Sequence, residues 1–162
     1  MDSYVADLFS RLRGRGYQAR MASIAHLQQL KEEIDGLRGT LDDEFYQSRL
    51  TWFSFQVPKA LPKAQSLIVI AVPRPQTRAI FKWNGKRWPL IIPPTYTAYD
   101  EIEKKAEDFL AEILGAKGYA ATGAALPLKL LAVRSGLGQY GRNNICYVPC
   151  MGSFHQLVAI HS

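Results

Sequence analysis

The stretch Ser66–Val72, with the sequence SLIVIAV, decides the fold class predicted for this chain. It is a run of apolar residues, several of them β-branched, with polar residues before it and Pro73 after it. Short continuous apolar runs of this kind are typical of strands that are buried on both faces. We therefore predict a central strand here, in an α/β (α+β) fold whose central mixed or antiparallel sheet is flanked by helices.

The residues that follow this strand predict a β-hairpin. Asn84 and Gly85 stand between two strand-like runs, 78–83 and 86–92. A two-residue type I′ turn needs positive φ at both central positions, and the dipeptide Asn-Gly meets that need at little steric cost.

Periodicity predicts the other elements and the domain organisation. Helical spacing predicts helices near 5–12, 23–34, 41–50, 100–114 and 126–133. Alternation and short apolar runs predict strands at 53–57, 145–148 and 157–160. The length of 162 residues suits a single α/β domain, 1–162, that includes a helical N-terminal segment, 1–44. Because the sequence stops within an apolar strand pattern, we expect it to be the N-terminal part of a longer protein.

Composition and segment lengths exclude several classes of protein. The longest apolar runs, 66–73 and 90–94, are far shorter than the ~20 residues that span a bilayer. The N-terminus has acidic residues before any basic one and no long apolar stretch, unlike a secretory signal. Two cysteines do not make a disulfide scaffold. We therefore predict a cytoplasmic protein that does not associate with membranes.

The net charge of +6 is unevenly distributed. No Asp or Glu occurs between Phe45 and Tyr99, and none occurs after Glu112. Basic residues do occur between Phe45 and Tyr99: Arg49, Lys59, Lys63, Arg74, Arg78, Lys82, Lys86 and Arg87. This distribution favours tRNA or another anionic ligand as a partner, although an ordinary solvated surface would also produce it.

The glycine-rich segment 136–141, GLGQYG, matches the dinucleotide-binding pattern G-x-G-x-x-G. That motif follows a strand and opens a helix, whereas here a predicted helix precedes it and a predicted strand follows. No Asp or Glu lies downstream to bind a ribose. Together with Arg142 and Asn143, the glycines instead predict a turn rich in donors that can approach a ligand closely. The alternative is a tight turn with incidental polar neighbours.

The cysteines and histidines near the end of the sequence do not predict a metal site. Cys146, Cys150, His155 and His161 are spaced too closely for a zinc finger. Small, partly buried cysteines are the better interpretation. The aromatic residues near basic ones either stack on a planar ligand or on bases, or pack in the core.

The segment Ala125–Phe154, ALPLKLLAVRSGLGQYGRNNICYVPCMGSF, resembles part of the epoxyqueuosine reductase family. That part of the family reads A-x-x-A/S-G-L-G-x-x-G-x-N, then a strand, then G-S-F/W. The matching residues are Ala132, Ser135, Gly136, Leu137, Gly138, Gly141, Asn143, Gly152 and Ser153. The upstream stretch PKALPKAQSLIVIAVPRP resembles that family's entry to its first central strand, so the similarity covers about residues 50–162.

This resemblance implies the N-terminal, cobalamin-binding portion of an epoxyqueuosine reductase-like iron–sulfur oxidoreductase. It implies a core similar to flavin nitroreductases and reductive dehalogenases, with 4Fe-4S clusters in a following domain. The implied substrate is a modified base in the tRNA anticodon loop, whose epoxide is reduced to an alkene. By the same resemblance, the residues that contact the cofactor are Ser135, Gly136, Gly138, Tyr140, Gly141, Arg142 and Asn143.

The sequence departs from that family in two respects. Its two cysteines cannot hold 4Fe-4S clusters, so these would need a further C-terminal domain, and the electron donor is unassigned. The family places an Asp, the proposed proton donor, shortly before the glycine-rich loop, whereas residues 122–125 contain no carboxylate. The catalytic residues are therefore left unassigned, and we expect no activity for the chain alone. Two alternatives remain: a basic tRNA- or RNA-binding module without catalysis, and a flavin-binding, nitroreductase-like protein.

Overall fold

The computed structural model of the protein describes residues 3–162. Its helices are α1 (Ser3–Gly14), α2 (His26–Asp35), α3 (Asp43–Arg49), α4 (Tyr99–Gly115) and α5 (Leu128–Arg134). Its strands are β1 (Gln18–Ser23), β2 (Ser66–Pro73), β3 (Thr77–Trp83), β4 (Lys86–Ile92), β5 (Thr122–Gly123), β6 (Gln139–Tyr140), β7 (Cys146–Tyr147) and β8 (His155–His161). A 3-10 turn, Pro94–Tyr96, lies between β4 and α4.

The central sheet has the strand order β1-β2-β8-β5, and every neighbouring pair is antiparallel. β2 contains the predicted central strand and lies between β1 and β8. β8 contains the predicted strand 157–160 and pairs with β2 from Leu67, opposite His161, to Pro73, opposite His155. The predicted fold class is therefore confirmed, in the antiparallel form.

Side chains that alternate along β2 divide the core into two layers. Ile68 and Ile70 pack with α1 and α4 on one face of the sheet. Leu67 and Val69 pack with α2 and α5 on the other face. Because helices cover both faces, all six residues from 67 to 72 are buried, which is why the strand is a continuous apolar run.

Two parts of the structure differ from the secondary structure predicted from sequence. The segment 1–44 contains β1 as well as helices, because β1 is an edge strand that buries only the small residues Ala19 and Ala22. The predicted strand at 53–57 is wrong, since these residues form a loop. The alternation there reflects Phe53 and Phe55, whose rings meet edge to face at 6.2 Å, with Phe55 packed against the core.

The predicted hairpin is confirmed as a two-stranded ribbon, β3–β4, outside the central sheet. Asn84 and Gly85 have φ values of 48° and 73°, as a type I′ turn requires. Residues 80–91 are all exposed. We call this ribbon, residues 77–92, the arm.

Within residues 3–162, no helix has the length and apolar character that crossing a membrane would require.

Candidate functional site

The edge of β8 opposite β2 is only partly covered. β5 pairs with it at Thr122 and Gly123, and the Ala124 N–H donates to the Ala159 carbonyl at 2.9 Å before the chain turns away. Alternate residues of an antiparallel strand direct their backbone polar groups to the same side. The N–H and C=O of Leu157 therefore point to the open part of this edge.

A cavity of about 540 Å³ lies at this open edge. Its walls come from the base of β4 (Ile91), the start of α4 (Tyr99), α5 (Leu128), β7 (Cys146) and the first residues of β8, 155–157. Most of the wall is apolar, and a few polar groups converge on it, which is the usual composition of a small-molecule site.

His155 supplies a neutral imidazole to the cavity wall. Its Nδ1 lies 3.1 Å from the carbonyl oxygen of Gly152, so Nδ1–H donates and Nε2 is left as an acceptor. Burial lowers the pKa of His155 below its usual 6.5, an effect that the Gly152 carbonyl partly opposes. The side chain is therefore uncharged at neutral pH.

The amide of Gln156 connects β8 to α4 and to the end of β2. Its Nε2 donates to the Tyr99 carbonyl at 2.9 Å, and its Oε1 accepts from Arg74 Nη1 at 3.1 Å. Arg74 Nη2 also donates to Thr97, at 2.9 Å from Oγ1. These contacts fix the segment between the arm and α4 against the wall of the cavity.

Tyr99 and Cys146 both stay protonated at neutral pH. Burial raises the pKa of Tyr99 first, and the nearby carboxylates of Glu103 and Asp100 raise it further. Burial also raises the pKa of the Cys146 thiol, although Lys129 partly lowers it. Cys146 is thus a buried, unreactive thiol, and Tyr99, which lines the cavity, is a neutral phenol.

The glycine-rich loop lies next to the cavity, but none of its predicted ligand-binding residues lines it. The contact with the cavity is made instead by the residues that follow, 144–146. Gly136, with φ of 73°, ends α5. A Cβ on Gly138 would lie 2.8 Å from both the Cys146 Sγ and the Tyr147 carbonyl oxygen. The loop itself therefore favours glycine at both positions, at 136 because of the positive φ and at 138 because of the close packing.

The other predicted residues also have contacts within the loop. A Cβ on Gly141 would lie 2.5 Å from the Tyr147 ring. The Ser135 hydroxyl donates to the Ala132 carbonyl at 3.1 Å. Asn143 Nδ2 donates to the Tyr147 hydroxyl at 3.3 Å, and Asn143 Oδ1 accepts from the Ile145 N–H at 3.3 Å.

Tyr140 and Arg142 are the loop's exposed side chains with the greatest reach. Tyr140 is 42% exposed and pairs with Cys146 in the β6–β7 ladder. Arg142 is exposed and has no carboxylate partner within residues 3–162. Both are free to contact a ligand that covers the loop.

Sequence reasoning missed the polar residues that do line the cavity. Tyr99, Lys129 and the pair His155–Gln156 come from three separate places in the chain. One signal was present: His155 and Gln156 are polar residues at the start of a strand whose next four residues, 157–160, are apolar, and both are buried. Across residues 3–162, no group of three or more His, Cys, Asp or Glu side chains is placed to hold a metal ion.

Comparison with known proteins finds similarity among solved structures. No protein-family model matches the chain, and no curated protein does either. A selenomethionine-labelled epoxyqueuosine reductase superposes with a TM-score of 0.62 at 19% identity, over 97% of this chain and 44% of the other. The enzyme from Bacillus subtilis, with its catalytic aspartate loop swung out of the active site, gives 0.57 with the same identity and coverage. An epoxyqueuosine reductase bound to an epoxyqueuosine-modified tRNA stem loop gives 0.56, again at 19% identity.

These superpositions show that the chain has a fold found in epoxyqueuosine reductases. It spans less than half the length of those proteins.

Proposed function

We propose that the chain is the N-terminal, corrinoid-binding module of an epoxyqueuosine reductase-like oxidoreductase that acts on tRNA. The observation that carries this proposal is the apolar cavity at the open edge of β8, beside the glycine-rich loop, in a fold found in epoxyqueuosine reductases. Electrons would come from 4Fe-4S clusters outside these residues, because Cys146 and Cys150 are the chain's only cysteines.

The residues at the cavity suit a corrinoid, which is a broad ring rimmed with amide groups. Its apolar surface matches the wall formed by Ile91 and Leu128. Its amides would bond to the Leu157 backbone and to exposed groups of the loop, Tyr140 and Arg142. When bound, cobalamin supplies a redox-active cobalt, and the protein supplies the pocket and the orientation.

Two cavity residues have roles that follow from their protonation. His155 Nε2 is an acceptor, because Nδ1–H is committed to the Gly152 carbonyl. Tyr99 keeps its proton at neutral pH, so it is a neutral phenol that can donate a hydrogen bond to a ligand, and its raised pKa makes it a weaker acid than the missing aspartate.

Titration with cobalamin, followed by visible absorption, tests this proposal. We expect a saturable spectral change with the wild-type chain. Leu128→Trp should weaken binding at least about tenfold, because the larger side chain fills the cavity. Leu37→Trp is the matched control, since Leu37 is exposed and does not line the cavity. Absence of a spectral change with folded protein, or equal binding by the two variants, would contradict the proposal.

A second candidate, an RNA-binding module without catalysis, is favoured by the basic stretch that lacks acidic residues between Phe45 and Tyr99. It predicts RNA affinity that falls steeply with salt, together with no response to cobalamin. A parallel titration with FMN tests the flavin alternative, which predicts that the chain binds FMN and does not bind cobalamin.

A further inference from the structure

The arm has two chemically different faces. Residues directly opposite each other in an antiparallel pair share a face. One face carries aromatic and apolar side chains, with Phe81 and Trp83 stacked at 6.3 Å and Trp88 opposite Phe81. The other face carries the exposed cations Arg78, Lys82 and Arg87, with the Ile80–Pro89 pair between Arg78 and the other two, and we call it the basic face.

The basic face continues from the cavity. Arg78 lies directly opposite Ile91, and Ile91 is part of the cavity wall. Lys82 and Arg87 extend the same face four residues further towards the turn at Asn84. At about 3.3 Å per residue, the arm extends roughly 20 Å from base to turn. A chain of anionic groups that ends at the mouth of the cavity can therefore lie along these three cations.

The arrangement is unfavourable in the protein by itself. Lys82 and Arg87 are directly opposite each other, and like charges in that position destabilise a strand pair. Neither they nor Arg78 form an ion pair with any carboxylate in the described part of the chain. An isolated two-stranded ribbon is marginally stable to begin with. A polyanion bound to the basic face would offset this repulsion.

We propose that the basic face of the arm binds the backbone phosphates of the RNA whose reacting base is presented at the mouth of the cavity. The proposal rests on the proposed function for the identity of the polyanion as RNA. Regularly spaced phosphates match the row of Arg and Lys side chains, which position nucleic acid without reading its sequence. The aromatic face lies on the other side of the ribbon and takes no part in this contact.

The test uses the 162-residue chain and a fluorescein-labelled tRNA stem loop, with anisotropy measured over a range of salt concentrations. We expect the triple variant R78Q/K82Q/R87Q to weaken binding at least about tenfold near 50 mM salt. The variant should also reduce the slope of the logarithm of the association constant against the logarithm of salt concentration by about 2. The reason is that each of the three lost phosphate contacts contributes about 0.7 for a single strand.

Two controls separate the face from the overall charge. Lys86→Gln removes a cation from the same arm, but Lys86 lies on the aromatic face opposite Trp83. K59Q/K63Q/K117Q removes three exposed cations elsewhere. Both should leave the affinity within about twofold of wild type, and circular dichroism checks that every variant is folded.

Several outcomes would overturn the proposal. The first is an RNA affinity of R78Q/K82Q/R87Q that equals that of the wild type. The second is a loss of RNA affinity in K59Q/K63Q/K117Q that equals the loss in R78Q/K82Q/R87Q. An equal loss in Trp83→Ala would mean that bases stack on the aromatic face instead. If the wild type formed a dimer and R78Q/K82Q/R87Q did not, while RNA binding stayed the same, the partner of the basic face would be a second copy of the chain. Cobalamin binding is measured on the same samples, so RNA binding through the basic face without cobalamin binding would contradict only the corrinoid assignment.

Discussion

Gly138 shows how a glycine in a motif can serve the packing of its own loop. The loop turns back after α5 and lies against β7 so closely that a side chain at 138 has no room. The Gly138 N–H also bonds to the Ala132 carbonyl at 3.2 Å, which holds the loop to the end of α5. The glycine therefore fixes the position of residues 144–146, which line the cavity.

Gly138→Ala is expected to destabilise the protein by about 1–3 kcal/mol, as overpacking in a close-packed region does. The added methyl group would lie 2.8 Å from the Cys146 Sγ and from a backbone oxygen, and neither can move without shifting β7. The measurement is the free energy of unfolding in urea.

Gly115→Ala is the matched control for this prediction. Gly115 ends α4 and has open space where a Cβ would be. We expect this variant to be neutral or stabilised by up to about 1 kcal/mol. Equal unfolding free energies for the two variants would mean that the loop does not need a glycine at 138.

For individual residues, the sequence predicted the glycine-rich loop but not the residues that line the cavity. The three glycines of the motif lie within six residues of sequence, so their spacing alone indicated a tight turn. Tyr99, Leu128 and His155 meet only because α4, α5 and β8 pack around one open edge. No local pattern contains that information.

Among the elements, the arm depends on Arg74 for its attachment. Arg74 lies between β2 and β3, and its guanidinium bonds to Thr97 after the arm and to Gln156 in β8. Its own N–H donates to the Phe154 carbonyl at 2.9 Å. One side chain thus connects both ends of the arm to the strand that forms the cavity wall.

Arg74→Lys should destabilise the protein by about 1–3 kcal/mol, because an ammonium cannot reproduce the planar fork that bonds to Thr97 and Gln156 together. Arg78→Lys, an exposed change on the arm, should stay within about 0.5 kcal/mol of wild type. Urea denaturation measures the free energy of unfolding of both variants.

Amide hydrogen exchange should also be faster in residues 77–92 of Arg74→Lys. Unchanged exchange there would show that Arg74 does not hold the arm.

Elements defined by local patterns were predicted well, and those defined by pairing were not. The Asn84-Gly85 turn and α4 follow from adjacent residues, so the sequence was sufficient. β1 has few apolar residues and exists because β2 offers it an edge. Residues 53–57 alternate like a strand but have no neighbouring strand, and Ser54 makes one backbone bond, to Ala125.

In the whole molecule, two apolar layers share the same two central strands. The layer with α1 and α4 and the layer with α2 and α5 both pack on β2 and β8. Neither layer can be lost without exposing one face of both strands. The sequence indicated this organisation through the continuous apolar run 66–72, because only a strand covered on both faces has that composition.

The shared strands predict that the two layers unfold together. Leu110 of α4 and Leu131 of α5 are both fully buried and lie on opposite faces of the sheet. Each Leu→Ala change should reduce the free energy of unfolding by about 2–5 kcal/mol. Because the two sites have no common partner, the double variant should show the sum of the two effects to within about 0.5 kcal/mol.

Urea denaturation followed by two probes tests this cooperativity. Far-UV circular dichroism reports both layers, whereas labelling of the Cys146 thiol, in a Cys150→Ser background because Cys150 is exposed, reports only the layer with α5. We expect coincident transitions and an unchanged m-value in the wild type and in both single variants. If Leu131→Ala exposed Cys146 at a lower urea concentration than the loss of helix, the layer with α5 would unfold separately. The cavity, whose wall includes α5, would then lie on the less stable side of the sheet.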